Sequence, residues 1–380
     1  MDTEHPDIAV WVVTPNGLKL ARRLKDRWPR TTIMCSQSIS GQPEGSAEHT
    51  FSRLSEAVAA WFSRFEGHVF IMATGIVVRM IAPHLRQKTR DPAVVAMDDC
   101  GRFAISLVSG HIGGANALAR AVANILGAVP VITTATDVNQ VPAIDEIAKK
   151  NHLFIENPAA IKAVNMAILK NETFLLYDPY RFAGAELDHY AVTVSSPASP
   201  ADDSEISKRL SDGGAGVFID DAVVYLPATV LVLRPASLAV GIGCNRHTSA
   251  KEIKDLLDRV LKENRLSPAS LNCIASVDLK ADEAGLVELA RDLELAFLLY
   301  SREELGEVND IPNPSARVQK CIGVKSVCEA AALLASRKGK LIVPKQTSRN
   351  VTVAVARIPC TSSASDPAAR STCPGAPLAS

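Results

Sequence analysis

The sequence predicts an α/β protein of three units: a parallel-sheet N-terminal domain, a small central α/β domain and a C-terminal α/β domain. Three observations lead there. Short β-branched and apolar runs alternate with amphipathic stretches at helical spacing, the pattern of a parallel sheet covered on both faces. Glycine-bearing turns separate several of these runs from the helices that follow. The chain's 380 residues, 47% of them apolar, exceed what one core organises, so more than one domain is expected.

In the first domain, residues 1–140, Ile8 to Val13 reads as a strand. The turn Thr14-Pro15-Asn16-Gly17 follows, then a helix from Leu18 to Trp28 with Leu20, Leu24 and Trp28 on one face. Thr31 to Cys35 is the next strand, Leu54 to Phe65 a helix, Val69 to Ala73 a strand, and a helix begins near Ile76. Pro92 to Asp98 and Phe103 to Val108 flank Asp99-Cys100-Gly101-Arg102 and read as a hairpin inserted into the sheet. Gly113 to Leu126 is an Ala-rich helix and Val129 to Thr134 a buried strand. In the central domain, 141–235, Ile144 to Leu169 has a helical pattern; short strands follow at Thr173 to Tyr177, Ala191 to Val194, Val217 to Ile219 and Val223 to Leu233. Ser195 to Gly216, rich in Ser, Pro, Asp and Gly, reads as an exposed connection. The third domain, 236–359, opens with the strand Leu238 to Cys244. Helices are expected from Ser249 to Asn264, Ala284 to Leu295 and within Ala316 to Ser336, strands at Leu271 to Val277 and Ala296 to Tyr300, and a closing hairpin from Lys340 to Ala356. Residues 360–380 offer too little apolar surface to offset chain entropy and are expected to be disordered.

Forty-one basic and forty-one acidic side chains cancel, so the chain lacks the broad positive field that nucleic acid or an anionic membrane needs. An anionic ligand must be caught locally. No apolar run reaches the length of a membrane span, and the opening MDTEHPDIAVWVV lacks a signal-peptide pattern, so a cytoplasmic protein is expected. The eight cysteines form no C-x-x-C pair and read as small packed residues.

Three strand-to-helix turns are candidate ligand sites, because helix N-termini offer free amides and a positive dipole end. Thr74-Gly75 follows the Val69 to Ala73 strand. Ser109-Gly110-His111-Ile112-Gly113-Gly114-Ala115-Asn116 joins the hairpin to the Ala-rich helix. Gly241-Ile242-Gly243-Cys244-Asn245-Arg246-His247-Thr248 opens the third domain. None has the spacing G-x-G-x-x-G or G-x-x-x-x-G-K-[ST], which argues against a nucleotide-dependent enzyme. His111 is the sharpest candidate, as general base, carboxylate partner or axial metal ligand. Arg246 offers a planar fork for a carboxylate, and Thr248 or Ser249 caps the next helix. Cys244 invites a nucleophile role, but with no neighbouring base a packed thiol is preferred. Arg79, His84, Arg86, Lys88 and Arg90 form a basic run, while Asp98, Asp99, Asp137 and Asp145 are acidic candidates, Asp137 lying just past a strand end.

Taken in order, VFIMATGIVVRMIAPHLRQKTRDPAVVAMDDCGRF, AISLVSGHIGGANALARAVA and PVITTATDVN, with GIGCNRHTSAKEI, SVDLKADEAGL, IPNPSARV and KQTSRNVTVAVARI near the end, resemble the CbiG family of cobalamin biosynthesis, the cobalt-precorrin-5A hydrolases. The resemblance implies a step on a cobalt-containing tetrapyrrole in which water opens a δ-lactone and a carbon with its methyl group leaves as acetaldehyde. The cobalt belongs to the substrate, so no protein cofactor or resident metal is expected. Set against this chemistry, His111 or Asp98 would serve as base and the Gly113 and Gly114 amides as oxyanion donors. Thr74, Gly75, Arg79, Lys88, Asn116, Asp137, Gly243, Arg246 and Thr248 would bind the substrate's carboxylates. Other enzymes of the cobalamin pathway are candidate partners. The alternative is a non-catalytic carrier of a corrinoid intermediate, which turnover would distinguish.

Overall fold

The computed structural model describes residues 7–39, 48–87, 90–183, 186–194, 207–208, 210, 214–309, 311–315, 319, 323–337 and 339–359. Lys88, most of the connection 195–216 and the tail 360–380 lie outside the described residues, and so do the expectations placed on them. The fold is α/β with three sheets. The chain divides into two compact units, Met1–Glu146 and Ile147–Ser380.

The first unit is built on a sheet of β1 (Ile8–Val12), β2 (Thr31–Ser36), β3 (Glu48–Phe51), β4 (Gly67–Ile71), β5 (Ala93–Met97), β6 (Phe103–Val108) and β7 (Val129–Val131), ordered β3-β2-β1-β4-β5-β6-β7. All five residues of β1, β4 and β5 are buried, because helices cover both faces. Ile8, Val10 and Val12 pack with Leu20 and Leu24 of the helix Pro15–Arg27 and with Leu118 and Val122 of the helix Ala115–Leu126. Ala9 and Trp11 point the other way, to Phe51, Val58, Phe62 and Val77. That two-sided burial is the reason these strands read as continuous apolar runs.

One reversal decides where the chemistry can sit. Strands β1, β2, β3, β4 and β5 pair in parallel, but β5 meets β6 antiparallel, and β7 runs parallel to β6. The residues that follow β6 and β7 therefore emerge at the edge of the sheet where β4 and β5 begin.

In the second unit, β8 (Leu153–Ile155), β9 (Phe174–Tyr177), β10 (Ala191–Thr193), β11 (Gly216–Ile219) and β12 (Val230–Pro235) form a sheet ordered β10-β9-β11-β12-β8. The single helix expected from Ile144 to Leu169 is instead the helix Ile144–Lys150, the edge strand β8 and the helix Ile161–Leu169. His152 takes a left-handed φ of 54° and Pro158 follows Asn157, two breaks that apolar spacing alone does not register. The strand expected from Val223 begins only at Val230.

A further sheet, β13 (Leu238–Cys244), β14 (Leu271–Val277), β15 (Ala296–Tyr300), β16 (Lys340–Thr347) and β17 (Val351–Arg357), has the order β15-β14-β13-β17-β16. The helix Ala250–Glu263 buries Ile253, Leu256, Leu257, Val260 and Leu261, the face its spacing indicates. On the other side the helix Val327–Ala335 lies so close to β13 that a Cβ on Gly241 would stand 1.8 Å from the Cys328 carbonyl oxygen. Gly241 is thus a packing glycine. The position expected to separate central and C-terminal domains, 235/236, falls inside this second compact unit. There Arg357 of β17 grips Asp221 beyond β11 at 2.6 and 2.8 Å and the Tyr180 hydroxyl at 2.6 Å, while Ser237 also donates to Asp221 at 2.7 Å. Asp221 is almost fully buried, so this pairing ties the two sheets together. Among the described residues, no helix is long and apolar enough to cross a membrane.

Candidate active site and anion-binding pocket

Beyond Val108 the chain turns through Ser109 with φ 62° and reaches the helix Ala115–Leu126 through Gly114 with φ 87°. The turn is tight: a Cβ on Gly113 would fall 2.2 Å from the Ser109 Cβ. Its amides are largely committed. Gly114 donates to the His111 carbonyl, Ala115 to Ser109 and Asn116 to Gly110, at 2.9 to 3.0 Å. Of the expected oxyanion donors, Gly114 is therefore already used, and among the described residues the Gly113 amide has no such bond.

The side chains carry more. His111 Nδ1 lies 2.6 Å from Glu146 Oε1, and Nε2 lies 2.9 Å from Thr136 Oγ1. A carboxylate only accepts, which assigns the proton to Nδ1; the neutral ring then accepts the Thr136 hydroxyl at Nε2. The hydrogen bond that His111 donates to Glu146 raises the His111 pKa above its ordinary value of 6.5; burial opposes the rise, and the charges of Asp145, Glu146 and Asp137 add to it. The imidazole is thus oriented and half-buried, with its pKa raised.

Asp137 sits behind this pair, with Oδ2 3.8 Å from His111 Nε2. It accepts from Thr134 Oγ1 at 2.6 Å and Asn116 Nδ2 at 2.9 Å, and pairs with Arg120. Asn116, almost wholly buried, also accepts from Ser106 Oγ at 2.6 Å. Both amide hydrogens of Asn116 are spent on Thr134 and Asp137. It therefore holds Asp137 in place, with no amide hydrogen left over. Donor atoms of His111, Asp137 and Glu146 come within 4.8 Å of one another, close enough to hold one metal ion. The hydrogen bonds above already account for that cluster.

Asp98 does not join this group. It follows β5, whereas His111 follows the antiparallel β6, so the six residues of β6, roughly 20 Å at 3.3 Å each, separate them. Its carboxylate accepts the backbone N–H groups of Cys100, Arg102 and Phe103 at 2.7 to 3.2 Å. Burial works to raise its pKa, but these backbone bonds and Arg102 outweigh it and hold the group below the usual carboxylate value. Asp98 closes the hairpin turn and is a poor base. Thr74, Gly75 and Arg79 lie at that same far edge. Ala73, not Thr74, occupies the cap position of the helix Thr74–Ile81, and Arg79 donates to the Gly75 carbonyl at 2.9 Å.

The last sheet opens a cavity of about 530 Å³ at the ends of β13 and β14 and the start of β17. Arg246, Lys280, Lys345 and Arg349 line it, with Gly243 and several hydroxyls, and among the described residues no carboxylate does. A Cβ on Gly243 would meet the Thr352 hydroxyl at 2.7 Å, so glycine lets that hydroxyl donate to the Gly243 carbonyl at 3.2 Å. Arg246 pairs with exposed Asp282 at 2.9 Å, a solvent-screened contact that is readily exchanged. Thr248 is buried and donates to the Asn245 carbonyl, while Ser249 caps the helix, so Thr248 closes the turn and does not face this cavity. Burial pushes the Cys244 thiol pKa up, as befits a packed thiol. Cys35, Cys273 and Cys328 are buried thiols that form no disulfide among the described residues. Glu146, Thr136, Lys280, Lys345 and Arg349 are the functional candidates that sequence inspection missed. The run Lys345-Gln346-Thr347-Ser348-Arg349-Asn350 was the available signal for two of them.

Comparisons with known proteins identify the family. Family models match in chain order: cobalamin synthesis G N-terminal over 56–137, cobalamin biosynthesis central region over 142–235 and cobalamin synthesis G C-terminus over 238–356. The chain is 33% identical over 369 residues to the cobalt-precorrin-5A hydrolase of Priestia megaterium, covering 94% of this chain and 96% of that one. It is 36% identical over 356 residues to the cobalt-precorrin-5A hydrolase of Salmonella typhimurium, covering 93% and 98%. The solved structure of CobE, a protein from the cobalamin (vitamin B12) biosynthetic pathway, is 38% identical over 32% of this chain and 90% of that chain, with a TM-score of 0.31. With its three regions matched in order and two relatives aligned over nearly their whole length, this chain belongs to the CbiG family of cobalamin biosynthesis.

Proposed function

We propose that the chain is a cobalt-precorrin-5A hydrolase, opening the δ-lactone of a cobalt-carrying tetrapyrrole and releasing acetaldehyde. The observation that supports a catalytic role over a carrier's is the His111 imidazole, held by Glu146 on one nitrogen and Thr136 on the other. A protein that only carried its ligand would need no such oriented base.

In the neutral ring, Nε2 is the acceptor. Substrate displaces the Thr136 hydroxyl from it or shares it through water, and Nε2 takes the proton from the water that attacks the lactone carbonyl. Glu146 holds Nδ1–H and stabilises the imidazolium that forms. The imidazolium then returns its proton to the ring oxygen as the C–O bond breaks. In the second step Nε2, neutral again, takes the proton of the freed hydroxyl, the carbon–carbon bond to the macrocycle breaks, and acetaldehyde departs. The bonding electrons pass into the conjugated ring, which the substrate's own cobalt helps to stabilise.

The carboxylates of such a substrate call for local cations. Arg246, with Lys280, Lys345 and Arg349 of the C-terminal cavity, suits them. Each charge-assisted contact is worth roughly 1.5–3 kcal/mol, so a few suffice for micromolar binding after association entropy. Catalysis would take place in the cytoplasm, with enzymes that make the lactone and consume the product as candidate partners. The test is anaerobic turnover of the lactone substrate, with acetaldehyde read by a coupled dehydrogenase. Acetaldehyde in step with substrate loss is expected; tight binding without release would make the chain a carrier.

A further inference from the structure

The basic run before β5 borders a second cavity of the first unit. This cavity, of about 640 Å³, opens at the sheet edge where β4 and β5 begin, the edge to which the reversal of β6 brings the His111 turn. Phe65 supplies aromatic wall, Arg86 and Arg90 supply charge, and Gly113, two residues from His111, closes one side. The backbones are in tight contact there, since a Cβ on Gly113 would also stand 3.1 Å from the Asp91 carbonyl oxygen.

Arg30, Arg53, Arg102 and Arg120 all meet carboxylates. Arg86 and Arg90 are exposed and make no ion pair among the described residues. Asp91, beside them, is committed: both its oxygens accept the Arg86 backbone N–H at 3.0 Å, which shapes the segment. Glu66 is the other acid at the wall, so the arginines outnumber the uncommitted carboxylates. Planar, weakly hydrated guanidinium groups beside aromatic rings suit a flat ligand with carboxylates at its rim.

We propose that this cavity receives one carboxylate-bearing edge of the tetrapyrrole, with Arg86 and Arg90 gripping its acid side chains and Phe65 against the ring. The assignment of the ligand rests on the hydrolase function proposed above. One edge of the macrocycle lodged here lies beside the turn that carries His111, which makes Arg86 and Arg90 specificity-determining residues for the reaction.

The experiment compares the full-length protein with Arg86→Ala, Arg90→Ala and the double variant, with Arg102→Ala as a control from the opposite sheet edge. KM and kcat are measured for the lactone, and Kd for a cobalt-free octacarboxylic porphyrin by fluorescence titration, with circular dichroism to verify folding. Each single variant should raise KM at least about threefold and the double variant at least about tenfold, with kcat nearly unchanged and porphyrin affinity falling in parallel. Arg102→Ala should behave as wild type. A folded double variant with unchanged KM, or with kcat alone reduced, overturns the proposal. If wild type releases no acetaldehyde, the hydrolase assignment fails, and the porphyrin titration still decides the cavity: equal Kd in wild type and double variant overturns it.

Discussion

Replacing Glu146 by Gln keeps the shape of the side chain and removes the negative charge 2.6 Å from His111 Nδ1. A hydrogen bond to a charged group contributes about 1.5–3 kcal/mol and a neutral one about 0.5–1.5. Glu146 is 46% exposed, which favours the lower figures. A loss of about 1 kcal/mol in stabilising the imidazolium at the transition state corresponds to a kcat lowered by about fivefold. The pH profile should move as well. His111 works as a base when neutral, so activity is lost as pH falls through its pKa, which the native protein holds above 6.5. Without Glu146, the largest cause of that rise is gone, burial remains, and the acid limb should shift to lower pH. Stability carries the same signature with a defined sign. A raised histidine pKa favours the folded state below the unfolded value and ceases to do so as pH rises through the folded one. Glu146→Gln should therefore lower the unfolding midpoint more at pH 6 than at pH 9. Steady-state acetaldehyde release from pH 5.5 to 9, with thermal melts at the two ends, reads all three effects. An unchanged rate with an unmoved acid limb would refute the idea that Glu146 tunes the base.

Other outcomes follow from the same geometry. Arg246→Ala should raise KM several-fold with kcat preserved, and an unchanged KM would remove Arg246 from the binding site. Asp98→Ala deprives three backbone N–H groups of their acceptor and should cost roughly 1–3 kcal/mol in chemical denaturation; kcat per folded molecule should stay at the wild-type value, and a large loss would restore Asp98 as a catalytic group. Arg357→Ala leaves Asp221 buried without its cation and should cost about 3–5 kcal/mol in urea unfolding, against less than about 1 kcal/mol for Arg53→Ala at the surface.

Much of the fold was legible because burial on both sheet faces writes itself into β1, β4 and β5 as unbroken apolar runs, and into the helix Ala250–Glu263 as a one-sided stripe. The hairpin of β5 and β6 was legible too. Its consequence was not drawn from local pattern: an antiparallel step moves the next turn to the opposite edge, so Asp98 and His111, close together along the chain, stand a strand's length from each other. Helical spacing also concealed β8, a three-residue edge strand too short to display a period. His111 stood out by its glycine turn, yet Glu146 lies 35 residues further on, inside an ordinary helix, where only the fold brings it near. Asn116 looked like a ligand group because it opens a helix; burial and three partners give it to Asp137 instead. Lys345 and Arg349 are ordinary surface residues by composition, and come together only where β16, β17 and β13 form one wall of a cavity lined by no carboxylate among the described residues.

Single-turnover acetaldehyde release by His111→Ala, under saturating lactone and beside the wild-type protein, bears most directly on the chemistry assigned to that imidazole. The rate should fall at least about tenfold while substrate affinity holds. A folded variant that releases acetaldehyde at the wild-type rate would show that the base lies elsewhere in the molecule.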